Sequence, residues 1–505
     1  MFKFNKKILA AMIAIVLIAT SVFMAATAAT TQVSQTNNTY TGTAPKYVFM
    51  FIGDGMSYPQ IYAAEAFKGK SVDPKNVGIG RLNFTTFPAA GSATTYDSSS
   101  ICPDSASTAT SISTGNKTLS GVINMDVTKT VKYKTIAEMV KEKEYKVGII
   151  SSVSINHATP AAFYAHQASR NNYYDISLEL TSSNFDYFGG GGFLQQKGAK
   201  DDQTDILDVA RSKGYKVVSA KADILALSNK SGKVIATNAV LDSEKALPYE
   251  MDRSGDDLSL ADFTRKGIEV LDNSKGFFMM IEGGKIDWTC HANDAATSIK
   301  DTIAFENAVE EAIQFYNKHP KETLILVTAD HETGGLTIGF AGTGYSTFFD
   351  KLAYQNKSYL TFDAIIKNYA SKTTKANAKL EDLMPEIKKA FGLILPADPD
   401  AAARPAMVLT NHEEQQLRDA LIHSMIASAE RNYTDEEKIL YGTYEPLSVT
   451  ITHILNNKAG ISWTSYAHTG VPVPVFALGM GQELFNGYYD NTDIFKKVKS
   501  ILKIK

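Results

Sequence analysis

A serine that follows an aspartate, Asp104-Ser105-Ala106, opens a run of small residues that reads as a helix ended by Thr114-Gly115-Asn116. Such a serine sits where free backbone N–H groups and the positive end of the helix dipole favour an oxyanion, phosphate above all. The pair also suits a plain helix N-cap. Metal-ligand residues recur elsewhere at the ends of apolar runs. Gly53-Asp54-Gly55-Met56 follows Tyr47–Ile52, Glu282 closes Phe277–Ile281 and is followed by Asp287 and His291, and Asp330-His331 follows Thr323–Val327. Asp287 and His291 stand four apart, so in a turning chain they point the same way. Carboxylate with imidazole after a strand end is zinc-type chemistry. Gly-Asp-Gly alone would make an ordinary turn, but three strand ends supplying ligands in one chain form a set. Arg170 gains interest if an anion has to be held.

The elements that must position these residues alternate. Each apolar run reads as a strand buried on both faces, with a helical pattern after it. Open α/β sheets place ligand groups at the carboxyl ends of such strands. Lys146–Ser151 is a further strand leading to Asn156-His157-Ala158-Thr159-Pro160, and Gly189 to Gly192 reads as a tight connection without the Lys-Ser/Thr of a P-loop. Between about 342 and 444 the alternation breaks, and this stretch is expected to be an insertion near the site rim or a subunit contact. Its aromatics Tyr345, Phe348, Phe349, Tyr354 and Tyr359 are expected to pack locally. Tyr466-Ala467-His468-Thr469-Gly470 then precedes a strand at Val471–Leu478.

At 505 residues, 44% hydrophobic and 21% charged, the chain describes a folded globular protein. Lys3, Lys6 and Lys7 precede an apolar run and small residues, which reads as a secretory leader over 1–28, with a flexible lead-in at 29–45. A retained membrane anchor is the competing reading. The net charge is −3 and becomes more negative once the leader's lysines are removed. A general nucleic-acid binder would be basic, so none is expected as a partner. Two cysteines allow at most one disulfide, and Cys102 and Cys290 are expected to be unpaired and buried.

Taken in order, Gly53-Asp54-Gly55-Met56, Asp104-Ser105-Ala106, Ala158-Thr159-Pro160 with Arg170, Glu282 with Asp287 and His291, Asp330-His331 and His468-Thr469-Gly470 resemble the motifs of bacterial alkaline phosphatases. The resemblance covers 46–505. It implies an α/β fold, a three-layer α/β/α sandwich with a central, mainly parallel sheet and an inserted crown- or cap-like region. It also implies a homodimer, phosphate monoesters as substrates, two Zn2+ and one Mg2+, and an exported protein, periplasmic or extracellular, with no stable membrane span once the leader is gone.

Carried over residue by residue, Ser105 is the nucleophile and Arg170 the phosphate clamp. Asp287, His291 and His468 hold one zinc; Asp54, Asp330, His331 and the Ser105 oxygen surround the other; Asp54, Thr159 and Glu282 take magnesium. His157 and Trp288 stand behind these ligands, where the best-known bacterial pattern has aspartate and lysine. That departure bears on metal preference at the third site. The competing activities are a phosphodiesterase or sulfatase, though Cys102 is followed directly by Pro103 and so lacks the sulfatase Cys-x-Pro-x-Arg, or a silent metal- or phosphate-binding protein.

Overall fold

A computed structural model describes residues 40–72 and 77–505; the expected leader and residues 29–39 of the lead-in lie outside them. Among the described residues no helix is long and apolar enough to cross a membrane. The strands in chain order are β1 (Tyr47–Ile52), β2 (Ala89–Thr94), β3 (Lys146–Ser151), β4 (Tyr187–Gly190), β5 (Lys216–Val218), β6 (Val234–Thr237), β7 (Phe277–Glu282), β8 (Thr323–Thr328), β9 (Glu332–Thr333), β10 (Thr337–Ile338), β11 (Ile461–Ser462), β12 (His468–Thr469), β13 (Val473–Gly479) and β14 (Gly487–Asp490).

Ten of them form one sheet in the order β14-β2-β13-β8-β1-β7-β3-β4-β6-β5. Every pairing in it is parallel except those of β13, which runs against both β8 and β2. The runs YVFMFI, FFMMIE and TLILVT of β1, β7 and β8 are buried along their whole length, because helices cover both faces of the sheet. Burying each large apolar side chain there contributes about 1.5–3 kcal/mol. The fold expected from the resemblance is therefore the fold observed.

Register brings the functional ends level. Ile52 pairs with both Glu282 and Thr328, and Ser151 pairs with Glu282, so β8, β1, β7 and β3 finish in one row. Asp54, Glu282 and Asp330 consequently leave the sheet side by side.

The glycine run corrects the sequence reading. Tyr187–Gly190 is a sheet strand, not a connection, and Gly190 explains why glycine is required: its φ is +119° and a Cβ would stand 1.9 Å from the Ser151 carbonyl of the neighbouring strand. Between β10 and β11 the described chain adds no strand, only helices such as Tyr359–Ala370, Leu380–Phe391 and Asn411–Ser424, the last packed on Pro446–Ala459.

Candidate metal centre and active site

Ser105 begins the helix Ser105–Thr114. Asp104 caps it with an extended backbone and a side chain that accepts from Ser107 N at 3.0 Å, and Gly115 ends it in the left-handed region. The second carboxylate oxygen of Asp104 accepts from Arg170 Nη1 at 2.9 Å, so the cap also aims the arginine at the serine's end of the helix. Arg170 is itself anchored by its backbone N–H on the Gly121 carbonyl at 2.8 Å. Burial opposes ionisation of Asp104, but Arg170 and the backbone donors hold it below the usual carboxylate range. Ser105 is buried, with Oγ 3.1 Å from His331 Nε2.

Three groups of ligand atoms gather around this serine. Asp54, Asp330 and His331 form one, Asp287, His291 and His468 a second, and Asp54, His157 and Glu282 a third, each with one ligand atom per residue within 4.8 Å of the others. Asp54 belongs to two of them. It follows β1 closely, and Gly55 after it turns with φ +69° where a Cβ would stand 2.9 Å from Asp287 Cα. Asp287 and His291 lie one helical turn apart on Lys285–His291. The ribbon of β9 and β12, with His468 opposite Thr333, carries His331 and His468 together with their rings stacked at 3.6 Å.

The imidazoles are set as ligands by what their far sides touch. His291 Nδ1 lies 2.6 Å from the Tyr466 carbonyl and His468 Nδ1 2.6 Å from the Pro103 carbonyl. A carbonyl only accepts, so each Nδ1 carries a proton and each Nε2 is the ring atom turned toward the site, where a cation would take the place of any proton on it. Those two Nε2 atoms face each other across 3.0 Å, an arrangement that asks for a shared cation. Thr333 Oγ1, 2.5 Å from Asp287 Oδ1 and 3.2 Å from His331 Nδ1, joins the two groups.

The acids say the same. Both oxygens of Asp54, Oδ2 of Asp330 and Oε1 of Glu282 are buried without a hydrogen-bond partner, as are Thr159 Oγ1 and His157 Nδ1. Burial and then the Asp330 charge push Asp54 well above the carboxylate range. Burial raises Glu282 to about 8 against the hydrogen bond from Ser151, with Asp330 adding to the rise. Burial and Asp287 raise Asp330 to about 7. Burial acts on Asp287 too, but His291, His468 and His331 outweigh it and hold that acid ionised, while His291 is lifted to about 9. Burial lowers His331 and His157, the latter to about 3 with help from Arg170. Orphaned oxygens crowded in a low-dielectric site fit divalent cations, and all three groups mix imidazole with carboxylate, the one around Glu282 adding the Thr159 hydroxyl.

Every site residue singled out in the sequence gathers here. A cavity of about 510 Å³ opens over them, lined by Ser105, Arg170, Asp287, His291 and His468, and by His157 and Trp288, whose rings meet edge to face at 5.8 Å. Glu244, Tyr359 and Tyr444 also line it and went unpredicted. The aromatic pattern between 342 and 444 is a signal for Tyr359, although spacing alone reads it as local packing. Those aromatics scatter: Phe349 is buried, Tyr345 is fully exposed, and Tyr359 reaches the cavity. Cys102 is exposed rather than buried, because it precedes the helix on a surface turn, whereas Cys290 is buried; both are free thiols.

The profile of the alkaline phosphatase family matches residues 45–504. Alkaline phosphatase 3 of Bacillus subtilis is 33% identical over 91% of this chain and 89% of its own length, and the alkaline phosphatase of Schizosaccharomyces pombe 28% identical over 92% and 82%. The crystal structure of a cold-active alkaline phosphatase from a psychrophilic Shewanella sp. superposes with a TM-score of 0.73 at 30% identity, covering 90% of this chain and 99% of that one. A buried serine at a helix N-terminus, beside an arginine and three ligand clusters, sits within a chain of that ancestry, and the protein belongs to the alkaline phosphatase family, a metal-dependent hydrolase of phosphate monoesters.

Proposed function

We propose that the chain cleaves phosphate monoesters through a phosphoserine on Ser105, at a centre of two zinc ions and one magnesium. Asp287, His291 and His468 would hold one zinc, and Asp54, Asp330, His331 and Ser105 the other. Asp54, Thr159 and Glu282 would hold magnesium with His157 beside them. When bound, these cations acidify the serine hydroxyl and take up charge on the departing oxygen.

The chain's own residues do the rest. Arg170 offers two N–H groups to phosphate oxygens and is kept in line by Asp104. Ser105 Oγ attacks phosphorus, the bond to the leaving oxygen breaks, and the alcohol departs with a proton. Free N–H groups at the start of the helix meet the phosphoryl oxygens left on the serine. Water then attacks phosphorus from the vacated side, returning the serine and releasing inorganic phosphate.

The observation that carries this reading is Ser105 Oγ, buried 3.1 Å from His331 Nε2, with Arg170, Asp287, His291 and His468 lining the cavity that Ser105 itself lines. Acid quenching with phosphorus-labelled substrate is the test. Label should be trapped on Ser105, and Ser105→Ala should lose both the label and most turnover. An unlabelled parent with a fully active variant overturns the mechanism. The same reading takes 1–28 as a cleaved leader, 29–45 as lead-in, 342–444 as an insertion in a domain running from 46 to 505, and the mature protein as an exported homodimer.

A further inference from the structure

The cavity over Ser105 has two unlike walls. One is polar and carries Ser105, Arg170, His157, Asp287, His291 and His468, with Glu244 as a further lining carboxylate. The other is aromatic, formed by Trp288 of the ligand helix Lys285–His291 and by Tyr359 and Tyr444 from the distant chain segment. These rings are held by neighbours. Tyr359 bonds through its hydroxyl to that of Tyr249 at 2.9 Å and through its backbone N–H to Asp294 Oδ2 at 3.0 Å. Tyr444 stands edge-on to Tyr359 with centroids 6.0 Å apart and lies nearly parallel to Tyr466 at 6.1 Å. The Lys285 ammonium is 4.9 Å from the Trp288 ring. Tyr359 is 8% exposed and backs the wall, while Trp288 and Tyr444 are half-buried and present its open surface.

A phosphoryl group between Ser105 and Arg170 must send its leaving group into the remainder of this cavity. Rings fixed before binding cost little entropy on contact, and they reward a flat aromatic partner over a flexible aliphatic one. We propose that Trp288, Tyr359 and Tyr444 form a leaving-group subsite that selects monoesters of planar aromatic alcohols. The proposal rests on the monoesterase reading and adds a substrate class to it.

Hydrolysis-proof phosphonates separate binding from chemistry. Benzylphosphonate should inhibit the metal-loaded enzyme about tenfold more tightly than ethylphosphonate, the order of one good aromatic contact. Tyr444→Leu and Trp288→Leu should each bring that ratio to within about twofold, and Tyr444→Phe, which keeps the ring, should retain it. A parent ratio near one, or a ratio that survives both leucine variants, overturns the subsite. If inorganic phosphate inhibits but the ratio is near one, only the subsite falls. If no monoester is cleaved and phosphate does not inhibit, the monoesterase reading falls with it.

Discussion

Stripped of metal, the protein should weaken as pH rises, and the buried acids set the size of the effect. A carboxyl raised by folding binds its proton more tightly in the folded chain, so its contribution is intact below the unfolded pKa and lost as pH climbs to the folded one. Glu282 moves from an ordinary 4.5 to about 8. From pH 6.5 to 8 it therefore withdraws roughly 1.5 kcal/mol, since the slope of about 1.4 kcal/mol per pH unit halves by pH 8. His291, ordinarily 6.5 and raised to about 9 by Asp287 against burial, likewise loses its contribution above 6.5, withdrawing roughly another 1.5 kcal/mol over that window. Below 6.5 His157 and His331, lowered by burial, take up protons on unfolding and oppose the acids, so the window starts there. A loss of roughly 3 kcal/mol is a large share of the 5–15 kcal/mol that typically holds a domain folded. Urea unfolding of chelator-dialysed protein at pH 6.5 and pH 8 reads it directly, beside protein refilled with zinc and magnesium. The metal-free midpoint should be lower at pH 8, and the refilled protein should not show that drop, because the cations then balance the carboxylates. Metal-free protein equally stable at both values, or stronger at pH 8, would refute the reasoning.

Arg170→Ala should weaken inhibition by inorganic phosphate about tenfold or more along with turnover, since a charge-assisted pair is lost; unchanged inhibition would remove the arginine from the site. Lys285 is buried, bonded to Asp242, with its ammonium 3.7 Å from the Tyr249 ring. Lys285→Met, which strands the Asp242 carboxylate, should cost about 3 kcal/mol in chemical unfolding, and a variant as stable as the parent would show the pair to be neutral. Thiol reagent on the native protein should modify Cys102 alone, with Cys290 reacting only after denaturation, because Cys290 is buried and its thiol is pushed up by burial; two fast thiols would contradict the burial.

The central strands and the metal-type ligands were legible for one physical reason. A strand covered on both faces needs an unbroken apolar run, and the polar residue that ends it has no other business in a core, which is why Asp54, Glu282 and Asp330 stood out. The strand Tyr187–Gly190 is harder to see. Its glycines have no side chain to report burial and so look like a loop, yet Gly190 is there so that two strands can approach. The stretch holding Tyr359 and Tyr444 was expected at the site rim or a subunit contact, but neither tyrosine could be singled out, since nothing local links them to a serine hundreds of residues earlier. Cys102 misled through proximity in sequence, which says nothing of exposure at a turn.

The antiparallel course of β13 has a consequence for biosynthesis. Because that strand enters the sheet from the ligand edge, His468 is delivered just before it, near the end of the chain, while Asp54 is delivered near the beginning. β1, at the middle of the sheet, likewise waits for β7 and β8 to be made. A ribosome must therefore pass residue 468 before the Asp287, His291 and His468 cluster has all its ligands, and pairings this distant in sequence close slowly. Filling of that cluster is the last of the three to become possible, since the Asp54, His157 and Glu282 group and the Asp54, Asp330 and His331 group have their residues earlier in the chain.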